Sequence, residues 1–430
     1  MSSTIIESKS SSVKLLFRGL IIWCLATIFY FFDNLLQVSP GVMKPELSAV
    51  FNLGAAELGI LSSCYLWAYG VMQIPAGLLM DKYGPRILFT IASLLCAIGS
   101  FIFASADILS TAKFGRILIG TGASFAVVGC SKIASVWFSA NKFALFTGLM
   151  VSVGMFGSAF GLAAVNYIIQ AVTWQSAMYY AAYILFFLSI LMWLIIRDRP
   201  SESVPKLSKY AGSNLNIMQG FMQIISSRQV WIASIYAGLM FVPTLAFGGL
   251  WGIPYLVEGY GLSRDLSGLL VSLVFIGWVF GGPIYGWVSD YLGSRNIPMY
   301  FANVTTLIIT ILLIYIKHIP VPVIGLLMFL LGLCSSGFIL AFVVTKESHD
   351  NSLSGTAIGF VNTINTVSVA GLQWVIGQIL DVVATDPIIT DLGEKVFSYN
   401  DYKVALLSIP VCLIVSLAVL LMLKETRCKI

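Results

Sequence analysis

The stretch that decides the fold is Gly77-Leu-Leu-Met-Asp81-Lys-Tyr-Gly84-Pro-Arg86, which returns as Gly286-Trp-Val-Ser-Asp290-Tyr-Leu-Gly293-Ser-Arg295. Glycine, aspartate, glycine and arginine keep the same spacing in both copies. Each copy lies where one long apolar segment ends and the next begins, so each predicts a short charged turn at the edge of an apolar layer. A pattern that recurs at a distance within one chain predicts two copies of one structural unit.

The composition indicates the surroundings of these units. Of the 430 residues, 58% are hydrophobic and only 10% are charged, and the mean hydropathy is +0.93. A soluble globule of this size needs more polar surface, so the chain is predicted to lie in a bilayer. The net charge of +5 is small, and the Lys and Arg residues form no stripe, so no nucleic-acid partner is expected.

Twelve apolar runs have about the 20 residues that a helix needs to cross the hydrocarbon core of a membrane. They lie at 19–43, 57–80, 84–106, 111–138, 143–170, 174–196, 229–256, 265–289, 297–317, 320–345, 353–382 and 402–424. We therefore predict an all-α membrane protein in three parts. These are an amino-terminal six-helix half at 1–196, a polar linker at 197–228 with a short amphipathic stretch near 217–225, and a carboxyl-terminal six-helix half at 229–430.

The distribution of positive charge predicts the orientation. With the amino terminus inside, sixteen Lys and Arg residues fall on the cytoplasmic side and six on the outer side, as the positive-inside rule requires. Both termini and both repeated turns are then cytoplasmic, and residues 381–401 form an outer loop. A bacterial inner membrane is the expected location. The seven cysteines lie singly, so no disulfide, metal site or cofactor is expected.

Two six-helix halves in parallel repeat, with this turn after the second helix of each, resemble the major facilitator superfamily. The first turn matches the superfamily's signature loop at every hallmark position, and Arg116-Ile-Leu-Ile-Gly120-Thr-Gly122 is similar to a second family element. The resemblance covers essentially the whole chain. It implies a twelve-helix transporter, not an enzyme, with a substrate site near the midplane between two halves that expose it to either side in turn.

The repeated turns are predicted to act as gates. Asp81 and Asp290 can each satisfy the exposed N–H groups at the start of a helix in the opposite half, near Ser354 and Asn141 respectively. A second interpretation is that the turns only fix the topology. The predicted gating residues are Gly77, Asp81, Gly84, Arg86, Gly286, Asp290, Gly293 and Arg295.

Charged residues within the apolar runs are costly and therefore indicate function. Asp33 lies near the middle of the first run and is the predicted proton carrier, the alternative being a structural acid paired with a cation. Arg116 is its expected partner. Lys132 is either an anchor for a substrate carboxylate or an interhelix latch. Arg116 and Lys132 cannot face the same cavity unless the fourth helix bends at its glycines.

Uncharged polar residues complete a predicted lining, although ordinary helix-to-helix hydrogen bonds are an alternative for each of them. The predicted substrate-binding residues are Arg116, Lys132, Tyr30, Gln37, Asn362, Asn365, Thr366 and Gln373. The fifth helix lacks the Gly-Pro pair common in the superfamily's antiporters, which favours a symporter or uniporter.

A finer resemblance lies at 36–43 and 132–138, which are similar to facilitators of amino acids or small peptides, including phagosomal amino-acid transporters and lysosomal dipeptide transporters. The sequence thus predicts a monomeric symporter that imports an amino acid, small peptide or organic acid with protons. One alternative is a proton-independent exchanger of organic anions or organophosphates. Another is a transporter-like membrane sensor, for which only the linker offers a docking surface.

Overall fold

The fold is built almost entirely from helices. The computed structural model describes residues 2–138, 140–198, 217–348, 354–384, 388–389 and 395–426. The α-helices in this part are α1 Ser2–Val42, α2 Lys44–Phe51, α3 Ala55–Tyr83, α4 Pro85–Ala104, α5 Leu109–Ala123, α6 Phe125–Trp137, α7 Ala140–Ala171, α8 Trp174–Ile195, α9 Ile217–Ser226, α10 Arg228–Val242, α11 Gly252–Pro254, α12 Arg264–Leu292, α13 Asn296–Tyr315, α14 Val321–Ser335, α15 Leu340–Glu347, α16 Ser354–Val383, α17 Tyr399–Ala405 and α18 Ser408–Leu420.

Within the described residues, eleven helical stretches are long and apolar enough to cross a membrane. The pair Lys44–Phe51 and Ala55–Met80, bent by 110°, gives a twelfth. The predicted all-α, twelve-helix fold is confirmed. A short antiparallel strand pair, β1 Ile388–Ile389 with β2 Lys395–Val396, was not predicted and lies in the expected outer loop. Of the linker, residues 199–216 lie outside the described part, and α9 covers the predicted amphipathic stretch.

Within the described residues, four of the predicted spans are interrupted: the tenth contains a 3₁₀ turn at Ser336–Ile339, the twelfth is divided between α17 and α18, and the other two are the fourth and the seventh. The fourth breaks at Ser124, between α5 and α6. The seventh continues from α10 as a π-helix over Pro243–Trp251, a short α11 and a second π-helix over Tyr255–Gly259. Pro243 has no N–H for the normal α-helical bond, and the glycines that follow it favour the α-helix weakly, so a wider turn is easily accommodated.

The helices define two ends of the molecule. We call the end that carries the repeated turns and the start of α10 the turn end. We call the opposite end, which carries α2, the start of α12 and the end of α16, the far end.

The two repeated turns have closely related structures. Both second glycines have a positive φ, 81° at Gly84 and 63° at Gly293, although ψ is 163° at Gly84 and 20° at Gly293. In the first half, the Asp198 carboxylate accepts the backbone N–H of Arg86 at 2.9 Å. In the second half, the Glu425 carboxylate accepts the backbone N–H of Arg295 at 2.9 Å. An acid that follows the last helix of each half therefore holds the start of that half's third helix, and the sequence repeat is also a structural repeat.

The two halves approach each other most closely at the far end. A Cβ atom added at Gly59 would lie 2.6 Å from the carbonyl oxygen of Gln373 on α16, and one at Gly70 would lie 3.5 Å from Thr366. At Gly77, nearer the turn end, it would meet nothing within 4 Å. Because α3 runs from the far end to the turn end, these distances show that its contact with α16 loosens along the molecule.

Candidate functional site

The predicted proton carrier, Asp33, lies on α1 and is only 3% exposed. Its Oδ1 atom accepts a hydrogen bond from the hydroxyl of Tyr65 on α3. The carboxyl group is thus held away from solvent by a specific partner from a neighbouring helix. A buried carboxyl with one strong hydrogen bond is suited to hold a proton, since its charged form is costly in an apolar layer. Its role in coupling stays a prediction.

Arg116 is fully buried, and its hydrogen bonds go to backbone carbonyls of α1 and α3. Nη1 donates to Leu36 O at 2.7 Å, and Nη2 lies 3.4 Å from Gln37 O and 3.5 Å from Ser62 O. In a regular helix Leu36 O would accept the N–H of residue 40, but that residue is Pro40, which has none. The proline therefore exposes a carbonyl for the arginine.

The expected direct partnership of Arg116 with Asp33 is not formed. Instead, the guanidinium carbon lies 5.0 Å from the centroid of the Tyr65 ring, and the hydroxyl of the same tyrosine bonds Asp33. Tyr65 thus lies between the buried acid and the buried base. A guanidinium over an aromatic face is stabilised by the negative charge of the ring face, which offsets part of the cost of burying the arginine without a direct carboxylate.

Lys132 lies in α6, beyond the break at Ser124, and its side chain is partly buried. Arg116 lies in α5, before the break. Ser124 keeps α-helical backbone angles, φ −56° and ψ −23°, so the two cations lie along one membrane span, Leu109–Trp137. Lys132 stays a predicted carboxylate anchor or latch.

The other residues predicted to line the site on the first half lie around Asp33, Tyr65 and Arg116. Tyr30 is nearly buried, with its ring against Gly154 of α7, and Gln37 is partly buried. Tyr65 stacks on Tyr69 with a ring separation of 5.9 Å. The Tyr69 hydroxyl lies beside the side-chain amides of Gln73 and of Asn362 on α16, so the aromatic pair reaches from Asp33 to the second half.

On the second half, two of the predicted residues make helix-to-helix or local bonds. Thr366 donates to Asn362 O, one turn away on α16, at 2.8 Å. The Gln373 Nε2 group donates to Leu245 O in the π-helix at 3.1 Å. These contacts support the structural alternative for both residues. Among the described residues, however, the buried oxygens Asn365 Oδ1 and Gln373 Oε1 have no hydrogen-bond donor, and buried acceptors of this kind usually indicate a ligand or water site.

The described gating residues form contacts within their own half. Asp290 is 70% exposed and pairs with Arg295 at 2.7 Å, and Arg295 also pairs with Glu347 at 2.7 Å. Cβ atoms added at Gly77 and Gly286 would meet nothing within 4 Å. The side chains of Asp81, Asn141 and Ser354 lie outside the described residues, so the predicted latch contacts remain predictions.

The sequence reasoning missed a group of contacts that closes the far end. Lys44, at the start of α2, pairs with Glu258 of the second half, and the two side chains are 4% and 7% exposed. Arg264 binds Glu46 with two hydrogen bonds of 2.7 and 2.9 Å. The Asp381 carboxylate of α16 accepts the backbone N–H of Ala56 at 2.7 Å. These acids and bases all lie at helix ends in opposite halves. Their positions at the ends of apolar runs were the sequence signal that could have identified them.

Comparison with known proteins gives concordant matches. The family model described as Major Facilitator Superfamily matches residues 15–372. The lysosomal dipeptide transporter MFSD1 of Danio rerio is 24% identical over 372 residues, 82% of this chain and 78% of the relative. The probable galactarate/D-glucarate transporter GarP of Escherichia coli K12 is 22% identical over 408 residues, 87% of this chain and 90% of the relative.

A similar fold is found among solved structures. A bacterial homologue of the human lysosomal transporter Spinster, in an inward-facing and unoccupied conformation, superposes with a TM-score of 0.75 at 12% identity, covering 94% of this chain and 97% of that chain.

Proposed function

Because this chain belongs to the major facilitator superfamily, we propose that it imports an amino acid, small peptide or organic acid together with protons by alternating access. The protein is a multi-pass membrane transporter and not an enzyme. Its substrate is a small molecule, and its surroundings are the lipid bilayer. We propose that it acts as a monomer.

The observation that carries the proposal is the buried arrangement of Asp33, Tyr65 and Arg116 in the first half. A carboxylate is stable in an apolar layer only when it is paired, hydrated or protonated. Among the described residues, Asp33 has one hydroxyl donor and no direct cation, so protonation is its simplest route to a neutral buried state. As the halves open on either side in turn, it would exchange that proton with either compartment.

The polar groups nearby support a zwitterionic or carboxylate-bearing solute. Arg116 or Lys132 would bind a carboxylate, because a guanidinium or ammonium group makes charge-assisted bonds to it. The unpartnered oxygens of Asn365 and Gln373 would accept from an ammonium or hydroxyl group. The resemblance to a dipeptide transporter and to a sugar-acid transporter is consistent with this chemistry.

The sidedness of the proposal rests on the positive charge. If the turn end is cytoplasmic, as the positive-inside rule predicts, the closed far end faces outward and the structure is the inward-facing state. We propose a bacterial inner membrane as the location and import as the direction.

The direct test is transport by the purified protein in liposomes. Amino acids, dipeptides and D-glucarate would be screened for uptake driven by an imposed pH gradient. Asp33→Asn is expected to abolish driven uptake while exchange of internal for external substrate survives, because the amide cannot carry the proton. Asp107→Asn is the matched control, since Asp107 is exposed in a loop. Exchange that is insensitive to the gradient in the unaltered protein would reject proton coupling.

That last outcome would favour the second candidate, a proton-independent exchanger of organic anions. It is supported by Arg116, whose donors are not bound to any carboxylate among the described residues. A membrane sensor is the candidate of another class. Transport by the protein alone in liposomes would exclude a purely signalling role.

A further inference from the structure

We propose that Tyr65 is the positioning residue that links the protonation of Asp33 to Arg116 and, through Arg116, to closure of the far end. This inference rests on the proposed function. Tyr65 is fully buried on α3 and uses two separate parts of its side chain. The hydroxyl donates to Asp33, and the ring face contacts the Arg116 guanidinium.

The first link is the hydrogen bond between the two side chains. When Asp33 is ionised, it can only accept, and the Tyr65 hydroxyl donates to it. When Asp33 is protonated, its own O–H can donate, and the Tyr65 hydroxyl oxygen accepts from it instead. The tyrosine therefore responds to the proton without carrying it. The other titratable groups close to Asp33 come from α1, α3, α4 and α6, and they are Tyr30, Tyr69, Cys96 and Cys130.

The second link is the balance of charge across the ring. With Asp33 ionised, the buried acid and the buried Arg116 cancel, with Tyr65 between them. With Asp33 protonated, Arg116 leaves a net positive charge in an apolar region, which is costly until an anionic group or water enters. Proton loading thus favours binding of a carboxylate at this place.

The third link is mechanical and runs along α1. Arg116 holds the carbonyl of Leu36, which Pro40 leaves without its helical partner, and Ser39 supplies a second donor at 2.9 Å. One residue beyond the proline, Gly41 packs against the second half so closely that an added Cβ would lie 2.6 Å from Gly249 O. A shift of Arg116 would therefore act on the segment of α1 that closes the far end.

The test separates the hydroxyl from the ring. Tyr65→Phe retains the ring beneath Arg116 and removes only the bond to Asp33. Tyr236→Phe is the matched control, because it removes a fully buried hydroxyl that donates to Met299 O in the second half, away from Asp33. In liposomes, Tyr65→Phe is expected to lower uptake driven by a pH gradient about tenfold, the effect of losing one hydrogen bond to a charged group. Exchange, which requires no net movement of protons, is expected to change less than about twofold.

A double substitution tests whether the effect passes through the acid. In an Asp33→Asn background, which still exchanges substrate, Tyr65→Phe should cause no further loss of exchange, since neighbours that act as a unit are not additive. If Tyr65→Phe lowers exchange and driven uptake equally, or if its effect adds to that of Asp33→Asn, Tyr65 has only a packing role and the proposal is wrong.

Infrared difference spectroscopy gives a readout that needs no substrate. Protonation of the purified protein should produce a carboxyl stretching band that disappears in Asp33→Asn. Loss of the tyrosine hydroxyl in Tyr65→Phe should shift this band to higher frequency, and Tyr236→Phe should leave it unchanged. A band with the same position in all Asp33-containing variants would overturn the link. Because this arm needs no transport, a failure of proton-driven uptake would be distinguished from a failure of the Tyr65 contact.

Discussion

At the scale of single residues, the Lys44–Glu258 pair is the contact whose loss should cost most. Both side chains are almost fully buried, whereas Arg264 and Glu46 are 20% and 26% exposed. Removing one member of a buried pair leaves a charge without its partner, at a cost of about 3 kcal/mol or more. The Arg264–Glu46 pair is only partly buried, so solvent screens it more and its loss should cost less.

We therefore predict that Glu258→Gln opens the far end far more than Glu46→Gln does. The reporter is Gly249→Cys in a cysteine-free background, since an added Cβ there makes only ordinary contacts, the nearest at 3.5 Å. The rate of maleimide labelling at position 249 should rise strongly in Glu258→Gln and only slightly in Glu46→Gln. Equal rates in the two variants would show that burial does not determine the strength of this closure.

The same residues mark the limits of sequence reasoning. Asp33 could be found because a single acid in a long apolar run is conspicuous and costly. The contact of Tyr65 with Asp33 could not be predicted from the sequence, because it depends on how α1 and α3 are rotated about their axes. Lys44 and Glu258 each lie at the end of an apolar run, where charges are ordinary. Only the fold brings together these two residues, which are separated by 214 positions.

At the scale of elements, glycines on α3 lie both where this helix touches α16 and where it does not. Gly59 lies where the helices touch, and Gly77 faces open space in this state. We predict that Gly59→Leu forces the far end open, because its side chain would collide with the backbone of Gln373 and Trp374. Labelling of Gly249→Cys should increase.

The counterpart on the same helix is Gly77→Leu. Its side chain has room in this state, so labelling at position 249 should stay at the unaltered rate. Transport should nevertheless fall if the turn end must close during the cycle. Full transport by Gly77→Leu would argue against close packing at this glycine in any state.

Element boundaries were predicted well where apolar runs are bounded by turns. The spans at 84–106 and 174–196 correspond to α4 at Pro85–Ala104 and α8 at Trp174–Ile195. Hydropathy did not reveal the break at Ser124 or the π-helix after Pro243, because neither changes how apolar the segment is. Both depend on backbone hydrogen bonds that a hydropathy window does not describe.

At the scale of the whole molecule, the sidedness can be tested with two exposed positions. Lys317 lies at the far end, and Tyr291 lies at the turn end, where it is 78% exposed. In intact cells, a membrane-impermeant maleimide should label Lys317→Cys and should reach Tyr291→Cys only after the membrane is permeabilised. Labelling with the opposite preference would reverse the proposed orientation and turn the closed far end towards the cytoplasm.

One acidic residue follows the last helix of each half, and these two residues affect how motion is transmitted through the protein. Asp198 and Glu425 each fasten the end of a half to the start of its own third helix, so each half is closed on itself like a ring. We expect a half that is closed in this way to rotate as one rigid body, without sliding of its helices past one another. A small rotation produced by binding at the centre would therefore appear at both membrane surfaces at once, as a displacement that grows with distance from the pivot.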